Sequence, residues 1–223
     1  MLAIIQARYG SQRYPGKVLE KIGDKTVLQH TVETAQAIEG IDQVVVATGS
    51  PSTNVLVIDE CERIGVECYY DYWIEENDVL QRFIGAMLRK RAMYALRCCA
   101  DYPFSDNRYA ERLLKRWAMH DETGEGRDYY AFYYLEEEKP TVSKYPYGDL
   151  KEIVKLEALV DAHCQPCTVS DREHVTPYLY AHPDRYTIWR ERIKEFPAFQ
   201  LNIDVPADIR KVRKWYKANK APH

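Results

Sequence analysis

The sequence lacks a large excess of charge of either sign. Its 31 lysines and arginines face 34 aspartates and glutamates, a formal net charge of −3. That excludes a protein that coats a polyanion, so no nucleic-acid partner is expected, though a local basic pocket is allowed. No stretch approaches the roughly 20 apolar residues of a membrane span. No basic leader and apolar core follow Met1, so a cytoplasmic protein with no membrane partner is expected. Cysteine is sparse: Cys61, Cys68, Cys98, Cys99, Cys164 and Cys167 are the six, and they are expected to be reduced thiols. No internal repeat or low-complexity linker is present. With 46% hydrophobic and 29% charged residues over 223 positions, general disorder is excluded and a single domain over residues 1–223 is expected.

The apolar pattern alternates between short runs and helical stripes. Leu2–Ile5, Val44–Ala47, Val66–Tyr69 and Tyr94–Cys98 read as buried strands. Gly23–Ile38, Pro51–Ile64, a helix capped by Asn77, and Asn107–His120 read as helices between and after them. Such alternation predicts an α/β fold: a mainly parallel sheet with helices on both faces. Residues 121–153 break the rhythm with two glycines, a tyrosine-dense run (Tyr129–Tyr134) and the acidic Glu136–Glu138, and read as an insertion or homodimer-forming segment. Helices over Leu156–His163 and Arg172–Tyr180, a strand at Leu201–Ile203 and a helix from Pro206 complete the expectation.

The most informative segment runs from Ala7 to Lys17. Arg8, Arg13 and Lys17 supply three cations, and Gly10, Ser11 and Gly16 lie among them. Glycines let backbone N–H groups turn toward one anion, and guanidinium groups add fixed charge, so the loop reads as a polyphosphate cradle. It is not a Walker loop, because five residues separate Gly10 from Gly16 and Val18 stands where serine or threonine is required. This loop has no Gly-x-Gly pair for a dinucleotide turn. Asp101 follows the fourth strand and Asp204 the late one; if both strands are parallel, both carboxylates reach the carboxyl edge of the sheet beside the loop.

The pattern A-R-x-G-S-x-R-x-P-G-K resembles the signature of the cytidylyltransferase family, which includes the acylneuraminate and deoxy-octulosonate enzymes and the SpsF-type spore-coat proteins. Asn77–Phe83, Arg172–Tyr178 and Leu201–Asp208 resemble further SpsF-type segments, in order along nearly the whole chain. The resemblance implies a Rossmann-like fold of the nucleotide-diphosphate-sugar transferase type. It also implies transfer of CMP from CTP to a sugar acid or related small acceptor, with release of pyrophosphate. Ala7, Arg8, Gly10, Ser11, Arg13, Lys17, Asp78 and Arg82 would bind the nucleotide, with Arg8, Arg13, Lys17 and Asp101 catalytic. Asp101 and Asp204 would hold Mg2+, and Tyr145, Glu152, Arg172 and His174 would approach the acceptor. A nucleotidyltransferase using another base, and a non-catalytic nucleotide-binding protein, are the alternatives. Ala100 stands where the family has glycine, and Asp149 is displaced by one position from the family's aspartate. The Cys164-x-x-Cys167 pair has no second ligand pair at metal-site spacing and reads as loop thiols.

Overall fold

The structure, a computed structural model, describes residues 1–133, 150–193 and 201–220. In chain order the elements are β1 (Leu2–Gln6), a 3-10 turn (Lys17–Leu19), β2 (Lys21–Ile22), β3 (Lys25–Thr26), α1 (Val27–Gln36), β4 (Gln43–Ala47), α2 (Pro51–Ile64), β5 (Glu67–Tyr69), α3 (Val79–Lys90), β6 (Tyr94–Cys99) and α4 (Asn107–Glu122). There follow β7 (Tyr129–Tyr133), β8 (Glu152–Lys155), α5 (Leu156–His163), α6 (Val169–His174), α7 (Pro177–Ala181), β9 (Ile188–Arg192) and α8 (Pro206–Lys220).

Seven strands form one sheet in the order β5-β4-β1-β6-β8-β7-β9. β8 runs antiparallel to both of its neighbours, and the other pairings are parallel. The α/β, mainly parallel expectation therefore holds. Strand order reverses at β1, with β4 on one side and β6 on the other, which opens a ligand crevice at the carboxyl ends of these strands. Register places Gln6 opposite both Ala47 and Cys99, so the Ala7 loop, Thr48 and Asp101 leave the sheet at one edge.

Both faces are covered. On one, Ala3, Ile5, Val46, Leu96 and Cys98 pack with Leu28, Val32, Val57, Leu113 and Leu114. On the other, Ile4, Val45 and Ala95 pack with Leu80, Phe83, Met87 and Leu159. Strand alternation sends successive side chains to opposite layers, so continuous apolar runs were required. A third cluster joins Ile22 and Val27 to Leu201, Ile203, Ile209 and Val212, fastening the late segment and α8 beside the cationic loop.

Several local expectations are corrected. The first helix starts at Val27, because Gly23 turns at φ 69° between β2 and β3 and Thr26 caps Gln29 N. Asp78, not Asn77, caps α3 by accepting from Gln81 N at 3.0 Å. The expected Arg172–Tyr180 helix is broken: Val175 adopts φ 72°, ending α6 before Pro177 starts α7. Residues 201–203 form no strand; their link to the β6 end is the bond from Ile203 N to Asp101 O at 3.0 Å. Tyr129 and Tyr130 are 0% exposed within β7, so these two tyrosines belong to the sheet interior. Tyr134, Glu136–Glu138, Tyr145 and Asp149 lie outside the described residues. Among the described residues, no helix is long and apolar enough to cross a membrane.

Candidate active site

At the strand-order reversal lies a cavity of about 760 Å³, lined by the cationic loop, the ends of β1 and β6, Arg82 of α3, Glu152 of β8, and Glu173, His174 and Thr176 around the α6–α7 break. Gly16 adopts φ 71°, which sends the chain into the 3-10 turn that carries Lys17 beneath the loop. The N–H groups of Ser11 and Gly16 both donate to Tyr9 O, at 2.9 and 2.8 Å, so these amides define the turn itself.

The two aspartates converge, although they are far apart in sequence. Lys17 Nζ donates to Asp101 Oδ2 at 2.8 Å, to Ile203 O at 2.7 Å and to Asp204 Oδ1 at 3.4 Å. An ammonium has three donors, so all are committed: Lys17, 8% exposed, holds the two carboxylates rather than reaching toward a phosphate. Arg13 Nη2 donates to Asp204 Oδ1 at 2.8 Å and is largely exposed. Arg8 donates to Glu173 Oε1 at 2.6 Å and to Asn77 Oδ1 at 2.5 Å, spanning the cavity mouth.

Ala100 needs no glycine. It is absent from the positive-φ positions, and its carbonyl accepts from Thr31 Oγ1 at 2.9 Å. Ala100→Gly is therefore expected to leave turnover unchanged and to lower stability by about 0.4–1 kcal/mol through the freer unfolded chain, readable by urea denaturation beside a turnover assay.

Arg97 and Glu152 form the floor. They face each other in the β6–β8 register and pair at 2.5 Å, both nearly buried. Glu152 Oε1 also accepts from Tyr129 Oη at 2.5 Å and Thr176 Oγ1 at 2.9 Å. Burial opposes the Arg97 charge, but Cys99 and Glu152 outweigh it and raise its pKa. Burial, then Glu152, pushes the Tyr129 phenol well up. Sequence reasoning missed Arg97; the signal was a cation in an otherwise apolar strand, where charge is rare unless paired.

Among residues predicted for the site, Ala7, Arg8, Ser11, Arg13, Lys17, Arg82, Asp101, Glu152, His174 and Asp204 line the cavity. Gly10 is not among the lining residues; Glu76 Oε1 lies 3.7 Å from where a Cβ on it would stand. Asp78 and Arg172 do not line it: they pair with each other at 2.7 Å, and Arg172 also bonds His163, tying α6 to α3 and α5. Cys164 is exposed and Cys167 Sγ donates to Ala162 O at 3.0 Å. No cluster of three or more metal-ligating side chains occurs among the described residues.

Residues 2–219 match the family model described as cytidylyltransferase. The chain is 28% identical over 231 aligned positions to the spore coat polysaccharide biosynthesis protein SpsF of Bacillus subtilis, covering all of this chain and 89% of that protein. A cytidylyltransferase structure from Leptospira borgpetersenii superposes with a TM-score of 0.81 at 20% identity, over 97% of this chain and 87% of that one. A CMP:2-keto-3-deoxy-manno-octonic acid synthetase solved with CTP gives a TM-score of 0.72 at 22% identity, over 97% and 98%. These two likenesses speak for the fold.

Proposed function

The chain belongs to the cytidylyltransferase family and is a nucleotidyltransferase, and on that premise we propose that it transfers CMP from CTP to an oxygen of a small sugar acid. The observation that carries this is the meeting of Asp101 and Asp204 on one ammonium beside Arg8 and Arg13. In the reaction, the acceptor hydroxyl gives up its proton to water as its oxygen forms a bond to the α-phosphorus, the bond to the β-phosphate oxygen breaks, and pyrophosphate carries away the electron pair. The protein contributes mostly position and charge.

Arg8 and Arg13 take the triphosphate. Each is matched to a carboxylate, Glu173 and Asp204 respectively, so nucleotide entry exchanges carboxylate for phosphate on the guanidinium. The residues present fit Mg2+, which takes one or two carboxylates and leaves its other positions to phosphate oxygens and water. Asp101 and Asp204 would hold it, and when bound it neutralises charge on the phosphates. The acceptor lies toward β8, where the Arg97 guanidinium at the cavity floor offers charge to an acid group and His174 and Thr176 edge the same space. Glu152 keeps Arg97 oriented rather than contacting the acceptor with a free oxygen, since both its oxygens already accept bonds.

The test is pyrophosphate release with CTP, Mg2+ and a panel of 2-keto sugar acids. Release is expected with CTP above the other three nucleoside triphosphates, and chelation of the metal is expected to abolish it. Equal release from all four nucleotides, or none from any acceptor despite tight CTP binding, would refute the assignment.

A further inference from the structure

On the sheet layer that faces α3, three polar side chains interrupt an apolar surface. Glu152, Arg97 and Gln6 stand on the neighbouring strands β8, β6 and β1. They bond in series: Arg97 Nη1 donates to Glu152 Oε2, and Arg97 Nε donates to Gln6 Oε1 at 3.1 Å. Strand alternation places them in the layer that also holds Ile4, Ala95 and Val154. The acid and the base cancel in charge, and the amide adds none.

This row fixes how Gln6 is turned. A guanidinium donates and never accepts, so Arg97 draws the amide oxygen toward itself and sends the amide nitrogen the other way. That nitrogen makes no hydrogen bond among the described residues, and it is not one of their sealed, unpaired polar atoms. Gln6 lines the cavity, so the nitrogen is open to it. Arg97 Nη2 stands in the same state on the same cavity. The acceptors of the row are all engaged: Arg97 holds Gln6 Oε1, and Glu152 accepts from Arg97, Tyr129 and Thr176. The row therefore shows the cavity two donors, each anchored from behind, and no spare acceptor. Such a surface suits a group that only accepts.

Resting on the CTP reading above, we infer that Gln6 sets the choice of acceptor: its amide N–H, together with Arg97 Nη2, grips the acid group of the acceptor at two points. One donor fixes a distance, whereas two fix an orientation, so the attacking hydroxyl arrives in one attitude. Gln6 lies opposite Cys99 in the β1–β6 register, two positions before Asp101, which sets this grip beside the end of β6 that carries that carboxylate. Glu152 already balances Arg97, so the row accommodates a singly charged carboxylate better than a doubly charged phosphate ester.

The experiment is steady-state pyrophosphate release by the intact chain, Gln6→Glu and Gln6→Met, using the fastest 2-keto sugar acid of the panel above and its methyl ester, with CTP binding followed by calorimetry. Gln6→Glu is the informative change. It keeps an oxygen for Arg97 Nε, so the fold is expected to hold, but it sets an acceptor where the acid group needs a donor. Its KM for the acid is expected to rise by a factor on the order of 10². The unaltered chain is expected to prefer the acid over the ester by at least about tenfold, and Gln6→Glu to lose that preference. Gln6→Met removes the donor alone and is expected to raise KM about tenfold, with kcat changed less and CTP bound as before. A folded Gln6→Glu chain with an unchanged KM for the acid would overturn the inference. So would a Gln6→Met chain whose CTP affinity falls more than its KM rises, since the amide would then serve the nucleotide. Equal use of acid and ester by the unaltered chain would leave the CTP reading standing and remove the grip; no release with any acid would remove both.

Discussion

Replacing Lys17 by methionine is expected to lower the free energy of unfolding by about 3–5 kcal/mol and to slow pyrophosphate release by a factor on the order of 10². The reason is the company Lys17 keeps. Its buried ammonium is shared by Asp101, Asp204 and the Ile203 carbonyl. Methionine fills the same channel but leaves two carboxylates and a carbonyl facing one another, with only Arg13 still bonded to Asp204. Lys17→Arg is expected not to rescue, because a planar fork cannot present three converging donors to these oxygens. Arg13 makes the useful contrast: it also bonds Asp204, but two-thirds of its side chain is exposed, so Arg13→Ala is expected to cost under about 1 kcal/mol while still weakening nucleotide binding. Urea denaturation beside the rate measurement separates the two effects. A Lys17→Met chain with an unchanged unfolding midpoint and turnover would show that the carboxylates need no clamp.

The second large effect is expected at the cavity floor. Glu152→Ala removes the acceptor of Arg97, Tyr129 and Thr176 together. An uncompensated buried guanidinium and two stranded hydroxyls are expected to destabilise the fold by about 3–5 kcal/mol, a drop in melting temperature of roughly 6–20 °C for a chain of this size. Glu152→Gln keeps the shape and one acceptor and is expected to lose roughly half as much. Most diagnostic is the double replacement of Arg97 and Glu152 by leucine, expected to be milder than Glu152→Ala because it leaves no charge behind. If the double variant is as unstable as the sum of the single ones, the pair is not acting as a unit.

Much of this site was legible in the chain. Arg8 and Arg13 declared themselves by the density of cations after a buried strand, and Asp101 and Asp204 by following apolar runs. Other features were hidden because they depend on partners distant in sequence. Arg172 carries the same charge as Arg8, yet the capping of α3 places Asp78 where Arg172 meets it, outside the cavity. The tyrosine-dense run gave no sign of its place in the sheet, yet strand pairing on both sides of β7 buries Tyr129 and Tyr130. The break at Val175 had no local signal beyond Pro177; it places Thr176 over Glu152.

Taken by itself, the order of residues determined the alternation of strands and helices, the layer each apolar run enters, and the chemical character of the loop after β1, because these follow from periodicity and from charge spaced within a few positions. Only the folded chain decided that Lys17 clamps the aspartates and that Glu152 orients Arg97. Those outcomes rest on which donors and acceptors meet once burial removes water as the alternative partner, and that is settled by distances across the sheet edge, not by spacing along the chain.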